Sequence, residues 1–128
     1  YSNAGHNPPV LIRRTGRIEW LEEGGLILGS FPRAVYREGF IDLQEGDLLV
    51  FYTDGITEAL SPTGEMFGTE RLVSVLKGVP TEENARGICG RILEAVHTHC
   101  QWGQMEDDLT AVVLRVTQSP AQDDAPDG

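Results

Sequence analysis

Two acidic sites bracket the most apolar stretches of the chain. In "DLLVFYTDGITEA", Asp47 to Ala59, the bulky apolar run Leu48 to Tyr52 leads straight into Thr53, Asp54 and Gly55. In "MEDDLTAVVLRV" the order is reversed, with Asp107 and Asp108 launching the apolar run. A strand end is rigid, and the glycine after it permits a sharp bend or a close backbone approach. Such a frame can hold a carboxylate firmly at the edge of a core, as a metal or catalytic site requires. Asp-Gly is also a common turn dipeptide, so Asp54 as a plain turn former is the competing reading. If the two apolar runs are neighbouring strands, Asp54, Asp107 and Asp108 meet at one sheet edge. Clustered carboxylates raise each other's pKa unless a cation sits between them. Oxygen ligands without His or Cys favour hard ions, namely Mg²⁺, Mn²⁺ or Ca²⁺. A solvated acidic loop is the alternative for Asp107 and Asp108, and spacing leaves both open.

Other chemistry-bearing residues are weaker candidates. His6, in "NAGHNPP", has the chemistry of a ligand or an acid, although a lone His is more often structural. "HTHC", His97 to Cys100, suggests zinc by composition. Residues two apart on a helix point to different sides, however, and no CxxC or HxxxH accompanies them. Met66 and Phe67 in "GEMFG" read as packing residues in a loop. The basic cluster Arg13, Arg14 and Arg17 flanks a Thr15-Gly16 turn and reads as solvated hairpin charges, with a phosphate site as the alternative.

The elements that must position these residues follow from periodicity. "PVLIRR", Pro9 to Arg14, turns at Thr15-Gly16 into "RIEWL", Arg17 to Leu21, a hairpin. "LILG" follows, and "YREGFIDL", Tyr36 to Leu43, reads as another short strand. "QEGD", Gln44 to Asp47, is a turn that launches the strand ending at Asp54. "TERLVSVLKG" reads as a helix capped by Thr69 and stopped by Gly78. "TEENARGICGRILEAVHTHC" is the clearest helix, with Thr81 as its expected N-cap. Its apolar residues Ala85, Ile88, Cys89, Ile92, Leu93 and Val96 form one core-facing stripe. "LTAVVLRV", Leu109 to Val116, closes the domain as a strand. Antiparallel strands, two helices and a final strand make an α+β fold.

Bulk properties narrow the function. The 128 residues suit one domain, and the formal net charge is −10, with 20 acidic against 10 basic residues. Three acids, Asp123, Asp124 and Asp127, lie in the tail, leaving about −7 elsewhere. That balance argues against nonspecific binding to nucleic acid or anionic membranes. No apolar run approaches the roughly 18 residues that span a bilayer, and nothing resembles a signal peptide. Residues 117–128 read as a disordered acidic tail. Cys89 and Cys100, if they share one helix, lie about 16 Å apart along its axis, too far for a disulfide. Unpaired cysteines point to the cytoplasm. The chain opens on Tyr1 rather than Met, which suggests a piece of something longer.

Taken together and in order, "NAGHNPP", "LLVFYTDGITEA", "GEMFG" and "EDDLTAVVLRV" resemble the C-terminal half of the bacterial SpoIIE-type phosphatases. These are a branch of the metal-dependent (type 2C, PPM) serine/threonine protein phosphatases. The resemblance covers residues 1–116 and implies an antiparallel β-sandwich flanked by helices, present here as an incomplete half-domain. It implies a dinuclear Mn²⁺ or Mg²⁺ centre and a phosphorylated regulatory protein as substrate, often an anti-anti-sigma factor of the STAS type. Asp54 matches the metal-binding aspartate of the family's Asp-Gly motif, and Gly55 its glycine. Asp107 matches the metal-binding aspartate of the final Asp-Asp/Asn-x-Thr motif. Asp108 stands where many eukaryotic relatives have Asn, which implies at most a supporting role beside the ligands, and Thr110 completes that motif and supports the loop. His6 and Asn7 belong to a signature with no assigned chemical step. The implied mechanism is attack by metal-activated water, with no protein nucleophile.

The family's upstream half supplies an Asp-x-x-Gly-His-Gly-like motif whose aspartate bridges the metals, and no such motif occurs in these 128 residues. Asp54 and Asp107 would then be half of a site, and the isolated chain is expected to be inactive. Bared sheet edges and faces lead to a further expectation, that the fragment forms a homodimer or swaps elements with a second copy. Two other functional classes compete with the enzyme: a catalytically degenerate module that binds a regulatory partner, and an unrelated acidic β-rich interaction domain.

Overall fold

The computed structural model describes residues 1–101 and 107–118. Its centre is a four-stranded antiparallel sheet. The strands are β2 (Val10–Ile12), β3 (Ile18–Trp20), β5 (Leu48–Tyr52) and β6 (Ala111–Arg115), in the spatial order β3-β2-β5-β6. A separate two-stranded ribbon pairs β1 (Asn3–Ala4) with β4 (Gly24–Gly25) in parallel. Between β5 and β6 lie a one-turn helix α1 (Asp54–Thr57), then α2 (Gly68–Lys77) and α3 (Ala85–His99).

Side chains alternate across a strand, so each sheet face has its own set of residues. Val10, Ile12, Leu48, Val50 and Tyr52 point to one face, where they bury against Leu72 and Leu76 of α2 and Ile88, Ile92 and Val96 of α3. Ala111 and Val113 of β6 pack onto the same cluster. The opposite face is thinly covered. Leu11, Leu21 and Leu49 form a small buried cluster there with Ile41 and Phe51 against it. Val112 and Leu114 stand 53% and 42% exposed beside it. Among the described residues, the sheet is thus covered by helices on one face and largely open on the other.

Several local expectations need correction. Tyr36 to Leu43 is not a strand: Arg37 and Gly39 N–H make isolated bonds to Gly24 O and Tyr1 O, only Ile41 reaches the small cluster, and Phe40 is 88% exposed. Extended structure near "LILG" is confined to Gly24–Gly25. The cap of α2 is Phe67 rather than Thr69, with no side-chain cap bond. Burial of Phe67 and the reach of Arg71 Nη1 to the carbonyls of Met66 and Phe67 fix that helix start. Helix α3 is capped by Asn84 rather than Thr81, the Asn84 Oδ1 accepting from Gly87 N–H at 2.9 Å. The chain first bends through a Glu83 N–H bond to Pro80 O, and Glu83 then pairs with Arg91 instead of capping the helix. Gly78 does end α2. Most of the expected tail, residues 119–128, lies outside the described residues.

Candidate metal centre

The site is built by the pairing of β5 with β6. The two strands run antiparallel with Tyr52 opposite Ala111, so the chain leaving β5 and the chain entering β6 emerge side by side. Beyond the sheet, Thr53 N–H donates to Thr110 O at 3.1 Å, and Thr110 N–H donates to Thr53 Oγ1 at 3.3 Å. Thr53 therefore ties the Asp54 segment to the Asp107 segment. Nothing in its sequence position distinguished it, beyond the general ability of a Thr hydroxyl to bond nearby backbone.

Asp54 opens the one-turn helix α1 and is not part of an Asp-Gly turn, the competing reading of that dipeptide. Its side chain is exposed, and Oδ1 accepts from Gly55 N–H at 3.0 Å. Gly55 is buried against the other segment: a β-carbon on it would stand 2.2 Å from Asp108 O and 3.7 Å from Asp107 Cβ. Only glycine permits that approach. Asp107 is also exposed, its Oδ1 accepting from Asp108 N–H at 2.8 Å. The two carboxylate segments that the sequence placed at a common sheet edge are therefore in contact. Asp108 meets Gly55 through its main-chain carbonyl and leaves its side chain exposed. Met105 and Glu106 lie outside the described residues.

Asp54 and Asp107 have no ion-pair partner among the described residues, and each keeps Oδ2 clear of hydrogen bonds. Exposed hard oxygen donors without a cationic neighbour fit a divalent metal ion. No group of three or more His, Cys, Asp or Glu able to hold a metal occurs among the described residues. The fit is that of a partial site with two carboxylates.

The remaining candidates fall elsewhere. His6 is exposed, with Nδ1 2.8 Å from Asn7 O. The "NAGHNPP" loop is held instead by Asn3, whose Nδ2 donates to His6 O at 2.9 Å and whose Oδ1 accepts from His6 N–H at 2.8 Å. No hydrogen bond links His6 or Asn7 to the aspartates among the described residues. His99 Nε2 contacts Glu65 O at 2.8 Å, and its ring meets Phe67 edge-on. Cys89 and Cys100 are both free thiols, and burial pushes the Cys100 thiol up. Phe67 is buried as expected of a packing residue, whereas Met66 is 56% exposed.

The opposite end of β5 carries the strongest charge pairing. Asp47 is 1% exposed and accepts from Arg13 Nη1 at 2.7 Å, Gln44 N–H at 2.9 Å and Arg14 N–H at 3.2 Å. Burial works against its charged form, but the Gln44 N–H, the Arg13 guanidinium and the Arg14 N–H outweigh it and hold the carboxyl below its ordinary range. Arg13 also pairs with Glu19 at 2.8 Å. It is therefore a structural cation, not the solvated hairpin charge that its sequence context suggested.

The chain resembles known proteins over most of its length. Residues 1–117 match the family described as Stage II sporulation protein E (SpoIIE). The phosphoserine phosphatase RsbU of Bacillus subtilis is 29% identical over 118 residues, which is 90% of this chain and 34% of that protein. Protein IcfG of Synechocystis is 37% identical over 76 residues, 59% of this chain and 12% of that protein. The structure of the PP2C phosphatase domain of Bacillus subtilis SpoIIE, with a fragment of its regulatory domain, superposes with a TM-score of 0.68 at 26% identity. That match covers 91% of this chain and 34% of the other. A crystal form of the SpoIIE phosphatase domain without domain swapping matches with a TM-score of 0.65 at 24% identity, over 99% of this chain and 54% of the other, a likeness of fold alone. The chain spans about a third or less of the curated relatives and a third to a half of the matched structures. With the family matched over residues 1–117, the chain belongs to the SpoIIE family of PP2C-type phosphatase domains.

Proposed function

We propose that this segment is the C-terminal part of a metal-dependent phosphoserine/phosphothreonine protein phosphatase, and that Asp54 and Asp107 are two of its metal ligands. The observation that carries this reading is the contact of Gly55 with Asp108, which brings two cation-free carboxylate segments to one sheet edge. Bound Mn²⁺ or Mg²⁺ supplies positive charge for the phosphoryl oxygens and lowers the pKa of attacking water. The chain's own residues hold and orient: Asp54 and Asp107 offer oxygens, while Gly55 and Thr53 fix their spacing. A SpoIIE phosphatase-domain crystal presoaked with Mn supports manganese as the ion. The substrate we assign is a phosphorylated regulatory protein of the STAS anti-anti-sigma type, on the strength of family membership and likeness to RsbU. Both cysteines are free, which supports a cytoplasmic location. No helix among the described residues is long and apolar enough to cross a membrane.

With two carboxylates among the described residues, the site supplies few of the roughly six ligands each hard ion takes, so the isolated chain is expected to be inactive. The longer chain that contains it should hydrolyse a phosphoserine substrate with Mn²⁺ and lose activity at least a hundredfold on Asp54→Asn or Asp107→Asn. Full activity of either variant would overturn the ligand assignment. The shortage of ligands among the described residues also favours a second reading, a degenerate module that binds a regulatory partner without catalysis. Binding of that partner by the longer chain, with no Mn²⁺-dependent turnover, would select it. The open sheet face supports self-association of the isolated chain, as a homodimer or by exchange of elements.

A further inference from the structure

A hollow of about 200 Å³ opens at the end of the sheet away from Asp54, between the 13–17 hairpin, the C-terminal end of α2 and the end of β6. Leu48 pairs with Arg115 there, four residues along β5 from Tyr52, or about 13 Å at strand spacing. The charged residues lining the hollow are all basic: Arg13, Arg14, Lys77 and Arg115. In a chain of net charge −10, that concentration of positive charge is contrary to the general balance. Arg13 is neutralised by Asp47 and Glu19, but Arg14, Lys77 and Arg115 form no ion pair among the described residues.

The glycine of the Gln44–Asp47 turn brings two of these cations together. Gly46 has a φ of +86°, and a β-carbon on it would stand 3.0 Å from Arg14 Cδ, so the Arg14 side chain lies directly across it. From the other side, Arg115 Nη1 donates to Gly46 O at 3.1 Å and Nη2 to Pro80 O at 3.3 Å. Arg115 Nε is buried and has no hydrogen-bond partner. A half-buried guanidinium whose hydrogen bonds go to two carbonyls, with no carboxylate partner among the described residues, is an uncompensated charge. Glu45, Glu82 and Glu83 line one adjoining hollow, where Glu83 is paired with Arg91, and Glu19, Asp42 and Asp47 line another that shares Arg13 and Arg14.

We propose that this hollow is a binding site for a phosphate dianion, free or as a phosphomonoester, separate from the Asp54 and Asp107 centre. The volume holds a phosphate with several waters, each taking about 30 Å³. Arg14 and Lys77 supply mobile exposed donors and Arg115 a fixed charge, and guanidinium forks match phosphate oxygens in geometry.

The test is amide NMR of the 128-residue chain in EDTA, titrated with inorganic phosphate, with O-phosphoserine, and with chloride at matched ionic strength. The expected result is saturable shifts at Gly16, Gly46, Lys77 and Val79 with both phosphates but not with chloride. Affinity should fall at least tenfold in the Arg14→Glu/Lys77→Glu double variant, whose exposed positions leave the fold intact, and in Arg115→Gln. Tighter binding of O-phosphoserine supports a phosphoester ligand, and equal binding supports the free anion. Shifts that match chloride, or an affinity unchanged in the double variant, would overturn the site. Because metal is absent, neither result depends on the assignment of Asp54 and Asp107.

Discussion

Gly55 lies against the main-chain carbonyl of Asp108, so close that a β-carbon at position 55 would stand 2.2 Å from that oxygen. Backbone, not a flexible side chain, is the obstacle, so one segment must move if a side chain is added. Gly55→Ala should cost about 1–3 kcal/mol in urea denaturation, the usual penalty for overpacking. An alanine variant as stable as the parent would show that the two segments are not held together.

The far end of β5 carries a pH dependence of its own. Asp47 is held below the ordinary carboxyl range in the folded state, so its stabilisation is present above the unfolded pKa near 3.9 and is lost as pH falls through the lower folded value. Removing one member of a buried pair costs about 3 kcal/mol, so Asp47→Asn should lower stability by that amount at neutral pH. The same variant should lose less additional stability than the parent as pH falls below about 4 in acid titration. Parallel acid limbs would show that another carboxylate controls the transition.

Asn3 and His6 separate a structural role from a chemical one. Asn3 bonds both the N–H and the carbonyl of His6, whereas the His6 ring contacts only Asn7 O. Asn3→Ala should cost about 1–2 kcal/mol, because it leaves those backbone groups unmet. His6→Ala should stay within about 0.5 kcal/mol, as surface changes usually do. The reverse order in thermal melts would mean that the His6 ring holds the loop.

The open face of the sheet gives a prediction about association. Val112 and Leu114 stand exposed beside the small cluster of Leu11, Leu21 and Leu49. Sedimentation of the isolated chain should show concentration-dependent self-association that weakens at least tenfold in Val112→Thr/Leu114→Thr. A clean monomer at millimolar concentration would remove that face as the contact.

The strongly patterned parts of this chain were legible from residues alone. The uninterrupted run Leu48 to Tyr52 and the three- and four-residue recurrence of Ile88, Ile92 and Val96 lead directly to β5 and α3. Helix caps were less legible: Thr81 and Asn84 are both good capping residues, and a local bend at Pro80–Glu83 decides for Asn84. Tyr36 to Leu43 misleads because alternation reports burial preference and not the presence of a partner strand. At the candidate site, Asp54 and Asp107 stood out because each borders an apolar run. Thr53 and the Gly55–Asp108 contact did not, since both depend on the register in which two strands separated by 58 residues pair.

If Asp54 and Asp107 hold one divalent centre, added Mn²⁺ must broaden the amides around both. Amide NMR of the 128-residue chain with added Mn²⁺ should show broadening centred on Asp54, Gly55, Asp107 and Asp108, even at millimolar affinity. Asp54→Asn and Asp107→Asn should each abolish it while changing stability by less than about 0.5 kcal/mol, since both side chains are exposed. Broadening centred elsewhere, or unchanged in both variants, would contradict the account.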